Sequence, residues 1–549
     1  MIFYLCVLRY HEQVYLLCCM TTKKPFNVLL ITIVLACSSI ISMFLGIIRD
    51  RIYTSYFTAQ QLDPFYAAFK LPDFIFQIFV IGIIGATLIP NLLDTNKNDS
   101  KESYYDLLFS IFNLGSVILL FSSILLFFLT PVLLPLFTPG FDVDRLIQTT
   151  KTTRILLLSP FFMGIASIIG FYLHSKKNFF ITALTPIFYN LGIIISTLVF
   201  KNNFGIEGLA TGVVIGSFLY LSILIPVIVL DKTSAHYRPC FFHPRMKTIG
   251  VSALPRIVTL TLSQIGTFVD TALASPISGG VTIFAFAFKI QNMPTNIFSL
   301  NTSSAVFPVL VEHAAEKDWD KYNSVLIKAL HQVLFFILPI SIILFMFPEQ
   351  IVKIFAAAKF SHEDVLLIAF CIIIFSISIA AQGLTSVLVK AYYALHDTFT
   401  PLIAVVISLA IKIIGAFFFI SLFHSIIALP LSYSISEIIN TIILLALLQK
   451  KTHCISRKSL LQFLNLTIPC FLLLILEILA KYLLFPTLPP RDNVLSIIFL
   501  AIVSIVGLLF YLIVAYLLKI PESKMFIEGS RRRLLKIAKL VIKSDVIEQ

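Results

Sequence analysis

Apolar residues in this chain gather into long unbroken runs, without the short periodicities of water-soluble helices and strands. Stretches of about 18 or more residues with few charges number roughly fourteen. They lie near 26–48, 62–94, 104–136, 152–174, 180–200, 206–231, 246–274, 280–312, 325–348, 363–395, 399–422, 425–449, 459–485 and 493–519. About 20 helical residues cross the hydrocarbon core, where a backbone must satisfy its own hydrogen bonds. Each run therefore predicts a spanning helix, and the fold class predicted is an all-α polytopic membrane protein.

The runs also repeat. Ala68-Phe69-Lys70 recurs as Ala287-Phe288-Lys289, an offset of 219 (289 − 70 = 219). Gly46 and Asp50 face Gly266 and Asp270, and Ile89-Pro90-Asn91-Leu92 faces Phe307-Pro308-Val309-Leu310, at offsets within one residue of the first. An offset kept over so much sequence predicts two homologous halves, the internal symmetry of transporters. The expected division is a 1–24 extension, with Met20 an alternative start, then lobes at 25–240 and 246–450 of six helices each. Two further helices at 459–519 and a basic tail at 520–549 follow.

Composition agrees with the membrane reading: 58% of residues are hydrophobic and 13% charged, with a mean hydropathy of +0.97. The net charge of +13 reflects topology more than a nucleic-acid surface. Lys23-Lys24, Lys97, Lys101, Lys176-Lys177, Arg245, Lys247, Lys317, Lys321 and Lys450-Lys451 occupy alternate connections. The positive-inside rule makes these cytoplasmic, with both termini inside. The tail, with Arg531-Arg532-Arg533, Lys536 and Lys539, is expected to rest on anionic lipid. The eight cysteines include no CxxC pair, and no histidine has a partner at metal-ligand spacing, so neither a disulfide framework nor a metal site is expected. There is no GxxxxGK[ST] phosphate loop. No cofactor is expected, and transport would draw on the membrane potential or an ion gradient.

A charge near the bilayer centre costs about 2.5–3.5 kcal/mol, so charged residues inside apolar runs should face a bundle interior or a watered cavity. Arg49 and Asp50 end the first run, Asp63 and Lys70 open the second, and Asp270 and Lys289 repeat the theme, with Lys390 adding a further cation. Arg49, Lys70, Lys289 and Lys390 form a cationic set suited to an anionic, phosphate-bearing substrate. The plain alternatives are an Arg49 pairing with Asp50 or Asp63, and an Arg51 that snorkels to the interface. Lys412, unmatched in the first half, reads as a helix–helix contact or a snorkelling residue, dispensable for activity, and Glu437 and Glu477 as isolated carboxyls that bond a neighbouring helix or relay protons. Pro72, Pro90, Pro294 and Pro308 interrupt helices two and eight at comparable places, the usual pointer to where a transporter gates, against a reading as static kinks.

Several stretches resemble the MurJ (MviN) lipid II flippases of the multidrug/oligosaccharidyl-lipid/polysaccharide exporter superfamily. They are Leu45-Gly46-Ile47-Ile48-Arg49-Asp50, Asp63-Pro64-Phe65 through Phe69-Lys70-Leu71-Pro72, Pro139-Gly140-Phe141, and Tyr392-Tyr393-Ala394-Leu395 through Asp397-Thr398-Phe399-Thr400-Pro401. The similarity runs from about residue 25 to about 520. It implies a protein that alternates between inward-open and outward-open states and moves undecaprenyl-pyrophosphate-linked peptidoglycan precursor between leaflets; a monomer is expected. It further implies that Arg49 and Lys289 engage the pyrophosphate, that Asp63 is functionally important, and that the last two helices hold the lipid tail. The chain departs from the family at Met43, at Phe76-Gln77 and at Lys289, where the family usually carries basic residues, arginine in the last case. The competing readings are an exporter of another lipid-linked polysaccharide or of drugs, and a membrane glycosyltransferase. A drug antiporter is expected to present cavity carboxylates, and the enzyme a cluster of acidic residues in a loop; neither is seen.

Overall fold

The computed structural model describes residues 28–529 except 85–87, 89–90, 93, 96–98, 177, 231–236, 485–492 and 526. Pro90, the N-terminal extension and the tail beyond 529 lie outside the described residues. Among the described residues every regular element is helical. In chain order they are α1 (Val28–Tyr56), α2 (Ala59–Ala68), α3 (Lys70–Ile75), α4 (Lys101–Phe137), α5 (Val143–Leu156), α6 (Ser159–Ser175), α7 (Phe180–Ser222) and α8 (Ile225–Leu230). Then come α9 (Arg245–Ala274), α10 (Gly280–Pro294), α11 (Leu300–Ala315), α12 (Trp319–Met346), α13 (Pro348–Phe355) and α14 (His362–Ala394). The last are α15 (Phe399–Phe423), α16 (Ala428–Thr452), α17 (Arg457–Asn465), α18 (Thr467–Leu484) and α19 (Asn493–Leu517). Two π-helical stretches, Phe76–Ile84 and Thr295–Ser299, continue α3 and α10.

Eleven helices among the described residues are long and apolar enough to cross a membrane. The expected runs at 180–200 and 206–231 are two helical segments of Phe180–Ser222 that meet at Gly205, whose backbone is non-helical (φ 52°, ψ −127°) and suits a residue without a Cβ. Their outward faces carry apolar side chains such as Phe121, Phe128, Ile414 and Phe471, as a lipid solvent allows.

The chain divides into two compact units. Unit 1 comprises the residues up to 56 with 64–137 and 141–264; unit 2 comprises 57–63, 138–140 and 265 onward. The boundary at 264 falls inside α9. In unit 1, α1 packs along α7, and α4 and α6 enclose a core that includes Leu107, Ile168, Tyr172 and Leu224. In unit 2, α14 is the central helix, flanked by α10, α12 and α16, with α15 against α16. The terminal pair α18 and α19 docks on α12 and α13 through Phe335, Leu473, Tyr511, Phe347 and Leu500.

Two short segments belong to unit 2 although unit 1 surrounds them in sequence. At 138–140, Gly140 N–H donates to Ser275 Oγ at 2.9 Å. A Cβ on Gly140 would stand 2.3 Å from backbone atoms of Pro276, so no side chain fits there. At 57–63, Asp63 supplies the anchor described next.

Candidate functional site

Arg49 lies on α1 in unit 1, where its guanidinium is held from two sides. Nη2 and Nε donate to Asp50 Oδ1 at 3.0 and 3.2 Å, and Nη1 donates to Asn190 Oδ1 on α7 at 3.2 Å. Asn190 returns its amide protons to Ser42 Oγ at 3.1 Å and to the Pro186 carbonyl at 3.1 Å. The Tyr53 ring lies 6.0 Å from the guanidinium carbon. Asp50 is buried, while Arg49 keeps 18% of its side chain exposed. The pairing of Arg49 with Asp50 expected as the plain alternative is present. Asn190 escaped the sequence reading; its signal was a lone amide in the apolar run 180–200, where an unpaired polar group would be costly.

Asp63 is fully buried and caps the start of α10. Its Oδ2 accepts from Gly279 N–H at 2.8 Å, and its Oδ1 from the Thr282 N–H at 2.9 Å and hydroxyl at 2.8 Å. These donors belong to the turn ahead of α10 and its first turn, where a helix has unfilled N–H groups and favours an anion. The carboxylate thus sets the entry of the helix that carries Lys289.

Lys289 is half-buried on α10, next to Phe288, which joins a ring cluster with Phe284, Phe375 and Tyr433. Lys390 is half-buried on α14, with its ammonium 5.0 Å from the Phe307 ring centroid. Lys70 is half-buried at the start of α3 in unit 1. The six candidate residues therefore fall in two sets: Arg49, Asp50 and Lys70 in unit 1, and Asp63, Lys289 and Lys390 in unit 2. Lys412 is indeed a helix-to-helix contact, forming a 2.6 Å ion pair with Asp270. Removing one partner of a buried pair costs about 3–5 kcal/mol, so the geometry does not support its expected dispensability.

Of the prolines, Pro72 is buried four residues before the first π-helical stretch, and Pro294 is buried immediately before the second. Pro308 lies inside the uninterrupted helix α11. The second stretch is braced by amides: Gln291 Nε2 donates to Gln382 Oε1 at 2.8 Å, Thr295 Oγ1 donates to the same oxygen at 3.1 Å, and Gln382 Nε2 donates to Asn292 Oδ1 at 2.8 Å. Among the described residues no group of three or more His, Cys, Asp or Glu side chains is placed to hold a metal ion.

A family model described as "Lipid II flippase MurJ" matches residues 53–499. The chain belongs to the MurJ lipid II flippase family. It is 26% identical over 429 residues to a probable lipid II flippase MurJ of Borreliella burgdorferi, covering 76% of this chain and 83% of that one. It is 27% identical over 406 residues to a probable lipid II flippase MurJ of Buchnera aphidicola subsp. Acyrthosiphon pisum, covering 72% and 79%. Among solved structures it resembles a lipid II flippase MurJ in an inward closed conformation, with TM-score 0.72 and 25% identity, covering 88% of this chain and 98% of that one. An inward-facing MATE transporter of the MOP superfamily shares the fold at TM-score 0.65 and 14% identity, covering 75% and 94%. A transporter family with this helical membrane fold makes the chain a flippase-class protein, not an enzyme.

Proposed function

We propose that this protein carries lipid II, an undecaprenyl-pyrophosphate-linked peptidoglycan precursor, from the inner to the outer leaflet of the bacterial cytoplasmic membrane. Family membership over residues 53–499 carries the reading. Arg49, oriented by Asp50 and Asn190, and Lys289, on the helix that Asp63 anchors, are the cations assigned to the pyrophosphate. Asp50, Asp63, Lys70 and Lys390 act around them as positioning or auxiliary groups, and the helix breaks after Pro72 and Pro294 supply the movement. The protein works as a monomer; both its termini are cytoplasmic, a topology that the placement of its lysines and arginines supports. It is driven by the membrane potential or an ion gradient, since the sequence holds no phosphate-binding loop. Lysine at 289 is a point charge where the family usually has a bidentate fork, and Met43, Phe76 and Gln77 hold fewer cations than relatives do, so pyrophosphate is bound through fewer charge-assisted bonds.

The test is rescue of a strain depleted of its lipid II flippase, at matched membrane abundance. Arg49→Ala and Lys289→Ala are expected to abolish rescue while the protein stays folded, and Lys289→Arg to retain it. Full rescue by the Arg49→Ala/Lys289→Ala double variant would overturn the anion site.

A further inference from the structure

Within unit 1 a cavity of about 420 Å³ lies between α4, α6, α8 and Tyr237. Ligand sites occupy roughly 300–1,000 Å³, whereas voids left by ordinary close packing are seldom larger than a water molecule. The walls from α4 and α6, among them Phe109, Ile168 and Tyr172, are buried. On the opposite side Ile225, Val229 and Tyr237 are exposed at 46%, 57% and 53%, so the cavity meets the protein surface there. Among the described residues that line it, the only polar side-chain atoms are the hydroxyls of Tyr172 and Tyr237. The second of these is engaged, donating to Asn113 Oδ1 at 3.2 Å. A sugar or a pyrophosphate would give up its water here without replacement, which excludes both. Hydrocarbon gives up nothing and gains dispersion contacts with the walls.

One end of the cavity is charged. Lys176 follows α6, and its ammonium lies 4.8 Å from the centroid of the Tyr172 ring. Arg238 adjoins Tyr237, whose ring packs edge-on against Phe109 with centroids 5.2 Å apart. The Arg238 guanidinium faces Glu102 Oε1 at 3.4 Å and Asp106 Oδ1 at 3.7 Å. Exposed pairs of this kind are weak and exchange partners readily. Asp106 stands one helical turn before Phe109 on the same face of α4, and Phe112 lies about 9 Å deeper along that helix. The rim thus sets Lys176 and Arg238 beside Glu102 and Asp106. Such a rim offers a partner to each charge of a zwitterionic headgroup, whereas a purely anionic one would leave the carboxylates facing a like charge.

We propose that this cavity holds one acyl chain of a glycerophospholipid whose headgroup carries both a phosphate and an ammonium, the phosphate at Lys176 and Arg238 and the ammonium at Asp106 and Glu102. The lipid comes from the leaflet on the Lys176 side, the cytoplasmic one in the topology proposed above. It is a fixed part of unit 1, separate from the transported lipid. A polyprenyl tail, branched and much longer than an acyl chain, would leave most of its length outside.

The experiment uses the full-length protein, which carries one tryptophan, Trp319, in unit 2. In a Trp319→Phe background, Phe112→Trp places a reporter in the cavity wall, and Phe128→Trp places one at an α4 site 70% exposed, as a control for bulk lipid. Each protein is reconstituted in phosphatidylglycerol vesicles, into which phosphatidylethanolamine or phosphatidylglycerol with brominated chains is titrated as a fluorescence quencher. Phe112→Trp should be half-quenched at a several-fold lower mole fraction of brominated phosphatidylethanolamine than of brominated phosphatidylglycerol, while Phe128→Trp responds equally to both. Adding Lys176→Gln and Asp106→Asn at the rim should abolish that preference and leave quenching by phosphatidylglycerol unchanged. Undecaprenyl phosphate in excess should not relieve the quenching. An equal response of Phe112→Trp to the two lipids, a preference that survives the rim substitutions, or relief by undecaprenyl phosphate each overturns the proposal. An unquenched Phe112→Trp would mean an empty cavity and overturns it as well.

Discussion

Asp63 shows what a single carboxylate can do when three donors converge on it. Hydrogen bonds to charged groups contribute about 1.5–3 kcal/mol each, and the groups left behind add their own desolvation cost. Asp63→Ala is therefore expected to lower thermal stability in detergent, followed by fluorescence-detected size exclusion, and to lower membrane abundance before any effect on substrate. Asp63→Asn should fall between, because an amide keeps one acceptor oxygen and turns donor hydrogens toward Gly279 N–H. An Asp63→Ala protein as stable as wild type would refute the anchoring role. That Asp63 matters was legible from its place at the start of an apolar run. That it caps another helix was not, because its partners are more than two hundred residues away and are backbone groups, which carry no identity in sequence.

Among the elements, spanning helices were legible because lipid demands length and apolarity; the break expected between 180–200 and 206–231 falls at Gly205, whereas the expected run 280–312 is divided by the π-helical stretch after Pro294 and is not among the eleven spans of the described residues. Pro72 and Pro294 precede interruptions, while Pro308 does not, and the π-helical stretches begin at Phe76 and Thr295, again 219 apart (295 − 76 = 219). Their wider turns were not readable in advance. A π-turn survives where neighbours take up its displaced groups, and the Gln382 amide that braces the second one sits on α14, remote in sequence. The start of α15 is a more ordinary device. Partial burial pushes the Asp397 carboxyl up, but a hydrogen bond from Lys451 and bonds from the Thr400 N–H and hydroxyl outweigh it and bring it down to about 2. A carboxyl held below its ordinary 3.8 stabilises the fold above that value and loses the contribution as pH falls through about 2. Thermal melts of wild type and Asp397→Ala should differ by about 1 kcal/mol near neutrality, as for other helix caps, and converge below about pH 2. A gap that persists unchanged in acid would refute the assignment.

For the whole molecule, the charge bias assigns sides. In a cysteine-free background, a cysteine placed at Glu102 should react with a membrane-impermeant maleimide only in inside-out vesicles, and one at Asp144 only in right-side-out vesicles. Labelling of both from one side would refute the topology. The two-unit organisation has a consequence in time as well as in space. Asp63 leaves the ribosome 216 residues ahead of Gly279, the first donor it needs. At synthesis rates of about 5–20 residues per second, that interval is roughly 10–40 s. For that period the nascent first half must hold an unsatisfied carboxyl and the loose segments 57–63 and 138–140 beside or within the bilayer, where polar groups are costly. Unit 2 therefore cannot be completed from its own stretch of chain, and a fragment beginning at residue 265 should fail to mature unless the earlier segments are supplied with it.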